Sequence, residues 1–574
     1  MELRLWAPKA REVELDAGGR RRAMTSGGGW WTIDSPDVAP GTDYAFRIDG
    51  GDPMPDPRSP WQPAGVHGPS RVVDHGAFTW TNHDWPGIHL PSAVIYELHI
   101  GTFTPDGTFD AAIARLDHLV DLGVRAVEVL PIAEFSGDRN WGYDGVDLFA
   151  PHHAYGGPDG FKRFVDACHA RRLGVVLDVV YNHLGPEGNH LGRFGPYFTD
   201  FYATPWGQAV NYDRAGSPEV RRFVIDNALQ WLRDYHVDAL RLDAVHAIID
   251  TSAIHVLEQM AMEVAELASE VGRPLHLIAE SDLNDPRVIR AGEVGGWGLD
   301  AQWSDDLHHA LHAVLTHETN GYYEDFGTLD DVATALEEAW VYAARYSPHR
   351  DRVHGRPHCG MPGWRFLAYL QNHDQVGNRA VGDRLTHSVP IERMKVGAAI
   401  YLLSAFVPMI FQGEEWAAST PFQYFTGHED RELGRAVAQG RRSEFASFGW
   451  KADDVPDPQD RATFERSKLR WDELAESPHR EMLDWYRSLL RLRRTTPDLA
   501  DGRLDVVRAR ADDGTGTLVV TRGPITLAAN LGPEEQKVDV GDRASTTLLV
   551  SAPTVEVGDG VVALPPDTVV VLGP

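Results

Sequence analysis

Three carboxylates stand where runs of apolar residues end: Asp243 after Ala239-Leu-Arg-Leu, Glu280 after Leu275-His-Leu-Ile-Ala, and Asp374 after Leu367-Ala-Tyr-Leu-Gln-Asn-His. Short runs rich in Leu, Ile and Val that close on an acid read as buried strands delivering a charge to one rim. Such a charge is costly unless something uses it. Any one of them could be a salt-bridge partner or a helix cap, but three from three strands point to a site. Two carboxyl groups flanking a glycosidic bond are what sugar hydrolysis needs, so glycoside chemistry is the first reading.

The neighbours suggest separate roles. Arg241 lies two positions before Asp243 and so on the same side of a strand. A guanidinium so placed favours the ionised carboxylate that a nucleophile requires. Glu280 follows Leu-Ile-Ala, an apolar setting that raises a carboxyl pKa, as a general acid requires. Asp178 ends a further apolar run, and His183, His373 and His99 lie close to these positions. With 26 histidines in the chain some such neighbours arise by chance. No His-x-x-x-His pair accompanies them, so hydrogen bonding to sugar hydroxyls is the better use than metal ligation. Aromatic residues are dense nearby: Trp141, Tyr143, Trp206, Trp297, Trp303, Trp416, Phe422, Tyr424 and Phe425. Their flat apolar faces suit pyranose rings. Half of them belong to an ordinary core on this reading, with Tyr143 and Trp416 expected to reach a ligand because each follows a strand end.

The elements that would position these groups form eight strand candidates, at 94–103, 126–132, 174–182, 239–245, 275–281, 299–303, 366–374 and 407–414. Helical segments alternate with them. Residues 109–122 put Ile113, Leu116, Leu119 and Val120 on one face and stop at Gly123. Ser217-Pro-Glu219 opens another helix, with the serine expected as N-cap. Its face runs Phe223, Asn227, Gln230 and Trp231 beside Val224, Ala228 and Leu232. Eight strands with intervening helices point to a (β/α)₈ TIM barrel, whose catalytic groups lie at the C-terminal strand ends. A doubly wound sheet would bring a Gly-rich turn after the first strand, and none follows Ile95-Tyr-Glu-Leu-His-Ile100. Residues 1–90 and 501–574 read instead as short strands between turn clusters, two all-β sandwiches flanking a catalytic barrel at 91–500 with a short insertion at about 184–212.

Composition narrows the partners. The chain has 574 residues, 43% hydrophobic and 24% charged, as a folded protein of several domains does. A formal net charge of −30 disfavours nucleic acid and anionic lipid and suits a neutral substrate. Cys168 and Cys359 lie far apart, so neither a disulfide framework nor a zinc site is suggested. The N-terminus has no basic segment leading into a long apolar run, and no stretch approaches the ~18 apolar residues of a membrane span. A cytoplasmic location is the expectation, with no membrane partner.

Asp178-Val-Val-Tyr-Asn-His183, Leu240-Arg-Leu-Asp243, Ala279-Glu280 and Asn372-His-Asp374 resemble the four ordered motifs of the α-amylase family, glycoside hydrolase family 13. The resemblance covers roughly residues 90–480. It implies Asp243 as nucleophile, Glu280 as acid/base and Asp374 as transition-state stabiliser. It also implies that Asp178, His183, Arg241 and His373 shape the subsite for the attacked sugar. Longer strings, Trp141-Gly-Tyr-Asp-Gly-Val-Asp147, Leu370-Gln-Asn-His-Asp-Gln-Val-Gly-Asn-Arg379 and Phe411-Gln-Gly-Glu-Glu-Trp416, are similar to the branch of that family that releases trehalose from maltooligosyltrehalose. That branch implies maltooligosaccharide ligands and coupling to a maltooligosyltrehalose synthase. Glycogen branching and debranching enzymes of the family are the nearest competitors, and a non-catalytic glucan-binding protein would be expected to lose one of the acids. His246, Asp282 and Trp416 are candidates for gripping the trehalose unit by nearness to strand ends. The 184–212 segment is short for a calcium-binding insertion, so neither a metal nor a cofactor is expected. The implied mechanism retains configuration, with the Asp243 and Glu280 carboxyls about 5–5.5 Å apart.

Overall fold

The computed structural model describes residues 1–445, 454–542, 544–558 and 560–574. Its centre is a closed barrel of eight parallel strands: β1 (Ile95–Leu98), β2 (Ala126–Val129), β3 (Gly174–Val179), β4 (Ala239–Leu242), β5 (His276–Ala279), β6 (Ala301–Trp303), β7 (Phe366–Ala368) and β8 (Val407–Phe411). Each falls inside the apolar run expected for it. Helices cover each strand from outside and the other strands' side chains pack it from inside, so its outer face and the barrel floor are apolar, and that is what made the runs readable.

Inside the barrel the side-chain period of two sorts residues into layers. Ile95, Ala126, Val176, Ala239, Ile278, Ala301, Leu367 and Val407, one from each strand, share a single buried apolar cluster. Two residues further along the first five strands stand Glu97, Glu128, Asp178, Arg241 and Glu280. The barrel therefore changes from an apolar floor to a charged layer within one side-chain repeat.

The segment read as one helix at 109–122 is two, Phe109–Ile113 and Leu116–Leu122. Between them the amide of Arg115 bonds the Ala112 carbonyl at 2.9 Å, three residues back, which tightens the turn and breaks the ladder. Gly123 ends the second piece at φ 109°, and its amide closes on Leu119 and Val120. Helix Ser217–Asp234 starts at the expected residue, but Ser217 is not its cap. Gly216 precedes it at φ 87°, where a Cβ would meet Pro196 at 2.6 Å. Phe223, Val224, Asn227, Ala228, Trp231 and Leu232 are buried as the face predicted.

Ahead of the barrel, Glu2–Trp6, Thr25–Gly27 and Trp30–Asp34 form one antiparallel sheet. Val13–Ala17, Arg20–Ala23, Asp43–Ile48 and Ser70–Arg71 form a second. After the barrel, a five-stranded sheet faces a three-stranded one across Val519, Ala528, Val538, Val562, Leu564 and Val570. The other face of the five-stranded sheet, through Leu518, Val520, Leu527, Val569 and Val571, joins the main core. Both faces of Ile525–Asn530 are thus covered, which explains its unbroken burial. Among the described residues no helix is long and apolar enough to cross a membrane.

Candidate active site

At the C-terminal ends of the strands Arg241 is the hub. Buried to 1% exposure, its Nη1 contacts Asp178 Oδ2 at 2.6 Å and Asp243 Oδ1 at 3.1 Å, while Nη2 contacts Glu280 Oε2 at 2.9 Å. The guanidinium also lies 4.3 Å from the Trp303 ring centre, a cation–π contact that fixes its plane. One cation shared by three carboxylates cannot neutralise them all, so their protonation states separate. Burial pushes Glu280 well above the usual carboxyl range, with the charges of Asp243 and Asp374 adding and Arg241 opposing. This is the state a proton donor needs. Burial likewise lifts Asp178 to about 6 against the pull of Arg241.

The backbone contributes a further restraint. Ala244, directly after Asp243, takes a left-handed conformation at φ 40°, costly for a residue with a Cβ. There its amide donates to Glu280 Oε2 at 2.7 Å. Asn182 Nδ2 donates to Asp243 Oδ2 at 2.6 Å and to the Asp243 carbonyl at 2.8 Å, which orients the carboxylate from β3.

A second chain of contacts starts on β1. Glu97 accepts from the His373 amide at 2.9 Å and pairs with its Nδ1 at 2.5 Å. Burial opposes charge on His373, and the Glu97 carboxylate outweighs it, so its pKa is raised. His373 Nε2 meets the Tyr143 hydroxyl at 2.7 Å, and that hydroxyl donates to Asp178 Oδ2 at 2.6 Å. The Tyr143 and His373 rings stack 5.3 Å apart at 19°. Gly142, at φ 108°, lets Tyr143 turn inward, because a Cβ there would strike the Pro131 carbonyl at 2.1 Å. Asp374 Oδ1 accepts from Asn378 Nδ2 at 2.7 Å, and Asn378 in turn accepts from Arg441 at 2.6 Å.

Over this cluster opens a cleft of about 520 Å³ lined by Tyr143, His183, Asp243, His246, Glu280, His373 and Asp374, with Asn140, Trp141, Asp144, Trp206, Tyr424 and Arg441 around them. The structure thus gathers Tyr143, Asp178, Arg241, Asp243, Glu280 and His373 into one bonded network, and His183, His246 and Asp374 onto the same walls. His183 stacks with Trp206 at 5.0 Å and 14°. Asp282 sits behind His246, 3.8 Å from its Nδ1, and is held by Arg350 at 2.9 Å.

Trp416 is not brought to the cleft. It is fully buried in the turn Glu414–Trp416, 5.0 Å from Trp471 and 5.6 Å from His118. That turn folds inward because its two acids find buried donors. Glu415 accepts from Tyr96 at 3.1 Å and pairs with His118 at 2.8 Å. Glu414 accepts from Tyr401 at 2.6 Å, Tyr486 at 2.8 Å and Gln371 at 3.2 Å. Trp303, Phe422 and Phe425 are core, whereas Trp141, Trp206 and Tyr424 reach the cleft.

Glu97 and Asn182 were missed from sequence. Glu97 carried a signal, an acid in the middle of an apolar strand, and Asn182 stood unremarked inside the Asp178–His183 motif. Among the described residues one group has metal-ligand types, Glu134, His152 and His153. His152 Nδ1 accepts from the Ala154 amide at 3.2 Å, so in the neutral ring Nε2 carries the proton. The nitrogen facing Glu134, 3.6 Å away, therefore has no lone pair for a cation, and Glu134 pairs instead with His153 Nδ1 at 2.6 Å.

The family model "Alpha amylase, catalytic domain" matches residues 76–196. A malto-oligosyltrehalose trehalohydrolase of Arthrobacter ramosus is 52% identical over 535 residues, covering 92% of each chain. One of Saccharolobus solfataricus is 45% identical over 492 residues, 85% of this chain and 84% of the other. The crystal structure of a Salmonella typhimurium protein described as an alpha amylase superposes with a TM-score of 0.92 at 41% identity, covering 100% of this chain and 97% of that one.

Proposed function

This chain belongs to the malto-oligosyltrehalose trehalohydrolases of the α-amylase family, and from that premise we propose that it hydrolyses the α-1,4 bond next to the terminal trehalose unit of maltooligosyltrehalose, releasing trehalose. It is a glycoside hydrolase. The observation that carries the reading is the single buried guanidinium of Arg241 touching Asp178, Asp243 and Glu280 at the floor of an open cleft.

Glu280, held protonated by burial, gives its proton to the glycosidic oxygen as Asp243 attacks the anomeric carbon. The C–O bond to trehalose breaks, trehalose leaves, and the maltooligosaccharide stays esterified to Asp243. Glu280, now ionised, takes a proton from water, whose oxygen displaces Asp243 and restores the α configuration. Asp374 faces the positive charge that develops at the sugar ring. Tyr143, stacked on His373, offers its face to the ring being attacked. Asn182 and the Ala244 amide keep the two carboxylates from drifting. His246, Asp282 and Arg350 lie together beyond Glu280 and are assigned to the departing trehalose unit. The proposal extends to a cytoplasmic setting and to a maltooligosyltrehalose synthase as the source of substrate.

Incubation with maltopentaose, glycogen and maltooligosyltrehalose tests the reading in one experiment. Free trehalose is expected from the last substrate alone. New α-1,6 branches in glycogen, or shortened branches, would assign the protein to a branching or debranching reaction instead.

A further inference from the structure

We propose a second saccharide-binding site where the N-terminal sheet meets helix Gly157–Ala170, a cleft of about 470 Å³ separate from the catalytic one. It takes a neutral maltooligosaccharide, and it rests on the glucan-directed reading above. Its walls combine two aromatic rings, Trp61 and Phe78, with the carboxylates of Asp74 and Asp159 and the guanidinium of Arg163. No residue is shared between the two linings.

The chemistry of the lining selects the ligand. Both rings are half-buried, so they are fixed by packing yet keep surface toward the cleft. Arg71 covers one side of the Trp61 indole at 5.1 Å and is itself clamped by Asp43 at 2.5 and 2.9 Å. Gly157 backs the indole edge, where a Cβ would lie 2.9 Å from Nε1. Phe78 is braced edge-on by Trp80 at 4.9 Å. Aromatic faces held in this way offer the apolar side of a pyranose a platform without an ordering cost. Asp74 and Asp159 supply acceptors for hydroxyl pairs. Arg163 is already engaged by both oxygens of Asp110, at 2.9 and 2.8 Å. The lining thus holds two carboxylates and an arginine already paired to a third. Beside the rings Arg71 is held by Asp43, and Lys162, whose Nζ lies 5.7 Å over the Phe78 ring, donates to the His75 carbonyl. The nearby cations are therefore engaged, and a chain of net charge −30 disfavours phosphorylated or carboxylated ligands. A volume of about 470 Å³ lies within the range of small-ligand sites and accommodates more than one sugar ring.

The topology places this cleft usefully. Helix Gly157–Ala170 connects β2 to β3, and helices of such a barrel begin on the rim where the strands end. Gly156, Pro158 and Asp159, at the start of that helix, line the cleft. The second site therefore opens at the catalytic end of the barrel, where a long glucan anchored there raises the local concentration of its own end for the reaction.

The test is calorimetric titration of maltotriose into the Glu280→Gln full-length protein, which binds without turnover. Two sites per chain are expected, falling to one in Glu280→Gln/Phe78→Ala and in Glu280→Gln/Asp159→Asn. Two variants are used so that a folding defect in one does not decide the result, and the thermal transition of each is recorded. In the active background, Phe78→Ala is expected to weaken apparent affinity for long maltooligosyltrehalose about tenfold and leave kcat unchanged. A stoichiometry of one before substitution, or an unchanged stoichiometry of two in both well-folded variants, overturns the proposal. So does tighter binding of glucose 6-phosphate than of maltotriose to this cleft. Because binding is read without cleavage, loss of the second site is distinguishable from failure to release trehalose, which product analysis reads independently.

Discussion

Two of the sets of acids that follow barrel strands in this molecule have opposite fates. Asp243, Glu280 and Asp374 border a cleft of about 520 Å³, and two of them share the Arg241 guanidinium with Asp178. Glu414 and Glu415 follow β8 just as directly, yet they are 1% and 0% exposed. Three tyrosines, a glutamine and a histidine close around them. Position at a strand end is common to both sets. What differs is the supply of donors and the space left in front. A carboxylate wrapped by neutral hydroxyls is spent on holding helices together, whereas carboxylates that compete for one cation above an open space remain available to a substrate.

The contrast breaks most sharply at the proposed nucleophile and proton donor. Asp243→Asn and Glu280→Gln are each expected to lower kcat by about 10³- to 10⁴-fold while the thermal transition stays within a few degrees. Substantial remaining turnover in either would reassign that role. Glu415→Ala should do the reverse. It leaves Tyr96 and His118 buried without their acceptor and is expected to cost about 3–5 kcal/mol, read from the urea midpoint at unchanged slope. Trehalose release per folded molecule should not change.

A smaller effect concerns pH. Burial lifts Asp178 to about 6, so acidification through that value protonates the acceptor that Tyr143 and Arg241 share. kcat/KM is expected to fall up to tenfold per unit below it. Glu280 must keep its proton, and its raised pKa sets an alkaline limb. Asp374→Asn removes a charge that raises Glu280 and should move that limb of the residual activity to lower pH. For stability the sign differs. A carboxyl whose pKa is higher folded than unfolded takes its proton first in the folded state, so the contribution of Asp178 falls as pH climbs from about 4 through 6. A stability profile that rises over this window in the wild type but not in Asp178→Asn would contradict the assignment. The smallest change is expected from Trp416→Phe: KM within twofold, and about 1 kcal/mol of stability lost. A tenfold rise in KM would return Trp416 to the substrate.

The barrel was legible because the outer face and the floor-facing residues of each strand are apolar, and a polar residue toward its end then stands out. Asp243, Glu280, Arg241 and the flanking Asp178 came to light on that rule. Glu97 obeys a different one. It interrupts its strand from within and turns to His373, and pairing across the barrel between residues 276 positions apart leaves no local trace. Trp416 was misplaced for a related reason. Adjacency to a strand end says where a loop begins, whereas the direction it takes depends on His118, Tyr401 and Tyr486, all distant in sequence. The break at Arg115 and the glycine cap before Ser217 are choices of single backbone angles, which side-chain periodicity does not record.

One cation among several acids also says what would occupy the cleft most tightly. The walls reward a ligand that arrives carrying positive charge, as the sugar ring does at the height of bond breaking. A ring in which a basic nitrogen replaces the carbon or oxygen bearing that charge would be drawn to Asp243 and Asp374 by electrostatics as well as shape. Arg241, by leaving its partners short of a counter-ion, thus makes the enzyme vulnerable to amine sugars that carry a proton.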